Sequence, residues 1–160
     1  MRPPFAPPSA DDIAVVSAQL GRPARDVIGI AARCVCGKPT VVSTKPRLQD
    51  GTPFPTLYYL SHPAATAAIS TLEANGVMAE LADHIDDRYL VAHLSYIADR
   101  ESIEFVEEIA GISAGGMPTR VKCLHALAAH SLAAGPGLNP IGDLALELAD
   151  WSPEVCQCSG

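Results

Sequence analysis

Two β-branched runs, VIGIAARC and TVVSTK, flank the short turn-forming stretch VCGKP, and this pairing constrains the fold more than any other feature. β-branched residues favour extended backbone, and a Gly-containing break of this length joins antiparallel neighbours. The spacing predicts a β-hairpin. After the loop PRLQDGTPFP, the run TLYYLS reads as a third strand. The remaining periodic segments follow the helical repeat. The expected fold is α+β, a small antiparallel three-stranded sheet (hairpin plus one strand) packed with about five helices. This is not the alternating order that builds a doubly wound parallel sheet.

Helix boundaries are written in the punctuation. Ser9 and Asp12 resemble a capping box ahead of DDIAVVSAQLG, which Gly21 stops. Pro63 suits the first turn of AATAAISTLEAN, where Ala65, Ala68, Ile69 and Leu72 keep a helical period and Gly76 serves as the C-terminal cap. An acidic helical region follows over 77–108, with Met78, Leu81, Ile85 and Tyr89 on one stripe. Pro118 is expected to open the helix PTRVKCLHALAAHSLAA, which GPG ends, and LNPIGDLALELADW adds a loop and a last short helix. Residues 1–9 read as a disordered Pro-rich tail, 10–152 as a single domain and 153–160 as a flexible C-terminal tail. A chain of 160 residues buries about 68–70% of its unfolded surface, so it needs no metal merely to have a core.

Charge and cysteine usage bound the function. A net charge of −7 argues against nucleic acid, whose affinity rests on Lys and Arg. No apolar run approaches the length of a membrane span, and the Pro-broken N-terminus lacks a leader's apolar core. The expected location is cytoplasmic, where five cysteines are free thiols, ligands or redox groups rather than disulfides. Residues 73–108 hold ten carboxylates against Arg88 and Arg100, whereas Arg22, Arg25, Arg33, Lys38, Lys45 and Arg47 face only Asp26 over 22–47. The acidic helical region 77–108 is therefore a candidate protein-partner surface, and the basic end a candidate for a small anionic ligand.

The stretch RVKCLHALAAH carries Cys123, His125 and His130. On a continuous helix Cys123 and His130 lie about 10 Å apart along the axis, and Cys123 and His125 point about 200° apart. Such a helix gives one metal only one of these donors. Cys123, flanked by Arg120 and Lys122, is the preferred one. Companions must come from elsewhere: Cys34 and Cys36 beside the hairpin turn, and His62 where the third strand meets the Pro63 helix. Cys34, His62 and Cys123, with Cys36 as an optional fourth, have the ligand types that suit zinc. A [4Fe–4S] cluster on three protein ligands is the rival. Gly115, Gly116, Arg120 and Lys122 form a candidate anion site at the expected helix start, and His130 is a candidate acid/base. Three further signals carry less weight. These are GISAG around Ser113, the set Glu80, His84 and Asp87, and the terminal CQC, which could chelate soft metals or oxidise but as a tail pair reads as dispensable or redox-labile.

RCVCGKPTVV, DGTPFPTLYYLSHP, SAGGMPTRVKCLHALAAHSLA and GPGLNPIGD together resemble an uncharacterised bacterial family, the domain of unknown function numbered five hundred and one. In that family's pattern a cysteine opens the first segment, a Cys or His ends the second, and a KCLH helix follows. These positions correspond to Cys34, His62 and Cys123, with His125 and His130 in the last motif. The resemblance implies a shared thiol/imidazole site and no established activity. Cys36 stands where many relatives have another residue, which favours three ligands and an open metal position. Such a site would serve an enzyme acting on a small anionic substrate, or a structural zinc. The alternative from another class is a non-catalytic interaction module.

Overall fold

In the computed structural model, which describes residues 2–158, the hairpin is β1 (Val27–Arg33) against β2 (Pro39–Thr44). The third strand β3 (Tyr58–Leu60) adds to the other edge of β2, giving an all-antiparallel order β1-β2-β3. Every residue of the central strand β2 is buried, which requires cover on both faces because side chains alternate. On one face Val42 joins Ile30 of β1 and Val16 of helix α1 (Ala10–Leu20). On the other, Val41 and Ala31 enter the main core with Leu124, Leu127 and Ala128 of α5 (Leu124–Ala134).

The remaining helices are α2 (Pro63–Ala74), α3 (Val77–Ala82), α4 (Asp87–Glu101) and α6 (Pro140–Leu148), with a single 3-10 turn at Glu107–Ile109. The capping box of Ser9 and Asp12 forms, and Pro63 occupies the first turn of α2 as its fixed φ allows. Among the described residues there are six α-helices rather than about five because the acidic region breaks after Ala82. Asp86 restarts it, its carboxylate accepting from the Arg88 N–H as an N-cap. Glu80 and Asp87 thus fall on different helices, so the helical face expected to join them with His84 does not form.

A second correction matters more for function. Pro118 does not open a helix. Residues 117–123 form turns and irregular backbone, and α5 starts at Leu124 with Cys123 as its extended N-cap (φ −136°, ψ 104°). The turn is held by the Arg120 N–H donating to the Gly116 carbonyl (2.9 Å) and the Lys122 N–H to that of Gly115 (2.8 Å). A Cβ on Gly116 would lie 2.7 Å from the Arg120 carbonyl oxygen. These glycines therefore let backbone cross backbone.

Helix α4 fixes the approach to β3. The Tyr96 hydroxyl accepts from the Leu57 N–H at 2.7 Å, buried Arg100 donates to the Pro55 and Ile109 carbonyls, and the Tyr58 hydroxyl donates to Asp99 at 2.8 Å. The Pro-rich segment lies over this region: Phe5 meets Tyr58 edge-on, and Arg2 pairs with Asp99. Among the described residues no helix is long and apolar enough to cross a membrane.

Candidate metal centre

The hairpin turn is built to present sulfur. The Gly37 N–H donates to the Cys34 carbonyl and the Cys34 N–H to that of Lys38, both at 2.8 Å. Gly37 takes φ +92°, a conformation that favours glycine. Cys34 is buried and Cys36 exposed across this turn. The C-terminal segment arrives on top of it. Trp151 is buried, its ring 5.2 Å from that of His62, and the Pro153 carbonyl accepts from the Val35 N–H at 2.9 Å. These two anchors carry Cys156 and Cys158 to the hairpin.

The result is a four-sulfur cluster. Cys34, Cys36, Cys156 and Cys158 place their Sγ atoms within 4.8 Å of one another, with Cys36 and Cys158 at 3.5 Å. Zinc–sulfur bonds of about 2.3 Å in a tetrahedron set sulfurs roughly 3.8 Å apart. The cluster can hold a metal ion. The Cys36 thiol is pulled down to about 7, chiefly by the Lys38 backbone N–H and then by Cys158. Burial, reinforced by the neighbouring thiols, pushes Cys158 up to about 12. Cys158 thus resists ionising without a cation beside it, whereas metal binding needs thiolates.

His62 stands beside this cluster in a role set by its own ring. Its Nδ1 accepts from the Ala64 and Ala65 N–H groups at 3.2 and 3.4 Å, capping α2. That leaves the proton on Nε2, which donates to the Cys158 sulfur at 3.1 Å. Burial lowers the pKa of His62, which keeps it neutral with this single N–H. A cleft of about 260 Å³, lined by Gln19, Lys38, His62, Gln157 and Cys158, opens next to the sulfur.

Of the sequence-derived ligands, Cys34 and Cys36 come together and His62 reaches the same cluster through Cys158. Cys123 belongs to a second donor group, with Glu73 and His125. A helix begun at Pro118 would point Cys123 and His125 to opposite sides. An extended N-cap is exempt from the 100° rule, and the two side chains meet. The His125 side chain lowers the pKa of Cys123, against burial, and Cys123 in turn raises that of His125. Cys156 and Cys158, which the sequence leaves as a tail pair of low weight, complete the four-sulfur cluster. Their signal was the repeated Cys-x-Cys spacing at 34–36 and 156–158, which makes an even set of four.

The other candidates sit elsewhere. His130 is fully buried, stacked on Tyr58 and edge-on to Tyr96, with Asn139 Nδ2 at 3.1 Å from its Nδ1. Ser113 is buried against His93 Nδ1 at 2.7 Å, away from any strand-to-helix elbow. Gly115, Gly116, Arg120 and Lys122 form the turn before α5, where two amides are already bonded. Arg47 pairs with Glu108 at 2.8 Å.

Comparison with known proteins adds a family. Residues 30–147 match the family described as "Protein of unknown function (DUF501)", and the chain belongs to it. That span contains Cys34, Cys36, His62 and Cys123 and ends before Cys156 and Cys158. No curated protein and no solved structure matches the chain.

Proposed function

We propose that this DUF501 member is a zinc-binding protein in which Cys34, Cys36, Cys156 and Cys158 hold one ion that fastens the C-terminal segment across the hairpin. The observation that carries this reading is the convergence of two Cys-x-Cys pairs, from opposite ends of the chain, within 4.8 Å. Four protein thiolates complete a tetrahedron and leave no position for substrate, which is the pattern of a structural zinc. The His62 N–H to Cys158 is the kind of outer hydrogen bond that orients a ligand and stabilises its charge. A reducing cytoplasm would keep these sulfurs free for the metal.

Zinc is favoured over a [4Fe–4S] cluster by the spacing. A cube carries its thiolates on four separate irons and needs them farther apart. Elemental analysis of tag-free protein, purified anaerobically with reductant, is the test. Loss of one equivalent of zinc in Cys34→Ser and in Cys158→Ser supports the reading. Brown protein containing iron and sulfide, or wild-type protein without metal, overturns it.

A second reading, a partner-docking role for the acidic region, has one observation in its favour. Leu90, Val91 and Leu94 of α4 are exposed. It requires that Leu94→Glu abolish association in solution while leaving metal content unchanged.

A further inference from the structure

The second donor group stands apart from the tetrathiolate centre, on the interface between α2 and α5. Glu73, in the last turn of α2, receives the Leu124 N–H on Oε2 at 2.9 Å, so this carboxylate takes up a free amide at the start of α5. Its Oε1 lies 3.2 Å from His125 Nδ1. The far side of the imidazole is anchored to α2 as well, with Nε2 3.0 Å from Ser70 Oγ and 3.3 Å from the Thr66 carbonyl oxygen. All three residues are partly exposed.

We propose that Glu73, Cys123 and His125 form a second zinc site, with three protein donors and one coordination position left for water.

The first argument is convergence. One donor atom from each residue lies within 4.8 Å of the other two. A Cys–His–Glu relay for nucleophilic catalysis places sulfur and carboxylate on opposite nitrogens of the ring, with the imidazole between them. Here the nitrogen far from Glu73 is occupied by Thr66 and Ser70, which takes it out of such a relay. Three donors around one point are the arrangement of an ion.

The second argument is the tautomer. A carbonyl only accepts, so Thr66 holds the proton on Nε2 and leaves the Nδ1 lone pair facing Glu73. Metal-bound histidines are oriented in this way, by a backbone carbonyl on the other nitrogen. A lone pair 3.2 Å from a carboxylate is repulsive, so a cation belongs between them. Either a second proton or a metal ion supplies it. A sulfur within 4.8 Å of both supplies the third donor that an ion takes up and a proton does not.

The third argument is preorganisation. Glu73 is held by the Leu124 N–H and His125 by Thr66 and Ser70, so two of the three donors are fixed before an ion arrives. Mixed sulfur, nitrogen and oxygen donors suit zinc, and three of them with an open position are the pattern of zinc sites that do chemistry. The two sites are independent, so either reading can fail alone.

The test uses the full chain and cobalt(II) or zinc(II) as the probe. Cys34→Ser/Cys158→Ser disables the tetrathiolate centre. In that variant cobalt should bind to one equivalent with a thiolate-to-cobalt charge-transfer band. The band should vanish when Cys123→Ser, or separately Glu73→Gln, is added. Circular dichroism checks folding, and Glu73→Gln keeps an oxygen to accept the Leu124 N–H. Zinc should also slow alkylation of Cys123, mapped by mass spectrometry, at least tenfold. This protection should be lost in Glu73→Gln. Three results overturn the proposal: no charge-transfer band in the double variant, a band indifferent to Cys123→Ser, or His125 titrating freely by NMR in excess zinc, which would mean that a proton alone fills the gap.

Discussion

At the scale of single residues, His62 shows how one ring divides its work. Nδ1 caps a helix and Nε2 serves a sulfur, so the two roles separate by substitution. Asparagine is an excellent N-cap but lacks the ring N–H that reaches Cys158. His62→Asn should therefore keep α2 capped, while the ring contact with Trp151 is lost with the imidazole. It should weaken zinc at the tetrathiolate centre about 10- to 100-fold, read by competition with a chromogenic chelator.

His130 makes a prediction about pH. Burial pushes it down to about 4 from its ordinary 6.5. Between those values the unfolded chain binds a proton that the folded chain refuses. The stability present above pH 6.5 is thus lost as pH falls toward 4, by roughly 3 kcal/mol in full. His62 and His93 are lowered by burial too and act with the same sign. Urea titrations across this window should show the slope, and His130→Gln should flatten it, whatever it does to absolute stability.

At the scale of elements, helices α5 and α6 meet through a glycine. A Cβ on Gly142 would lie 2.2 Å from the Leu127 carbonyl oxygen and 2.3 Å from Ser131 Oγ. Neither atom can retreat cheaply, because one is backbone and the other donates to the Asn139 carbonyl at 3.1 Å. Gly142→Ala should cost about 1–3 kcal/mol or more, seen as a lower thermal midpoint with zinc present and absent. Local sequence explains why α6 starts where it does: Asn139 accepts the Gly142 N–H and Pro140 follows it. It misleads at α5, where Pro118 looks like a first-turn proline. There Glu73, 51 residues away, supplies an acceptor for the Leu124 amide. A cap contributed by another helix leaves no mark in neighbouring residues.

At the scale of the whole molecule, the two ends of the chain are tied to its middle. Truncation after Ser152 removes two of the four sulfurs and leaves Trp151, the last member of the core, in place. The shortened chain should lose the tetrathiolate zinc and keep its far-UV circular dichroism. Loss of fold along with the metal would give the tail a larger structural share than its contacts indicate.

The sequence determined the three strands, their antiparallel order and most helix starts. These follow from side-chain stereochemistry, Gly and Pro, and caps that act within a few residues. It also located the thiol/imidazole segments, because Cys and His are scarce enough to stand out. Only the tertiary structure decided which sulfurs meet. Cys34 and Cys158 are brought together by Trp151 packing on His62 and by a carbonyl of the tail on Val35, and Cys123 is turned to His125 by a helix that begins late. Partnership across more than a hundred residues is set by the packing of the whole chain, and no local spacing encodes it.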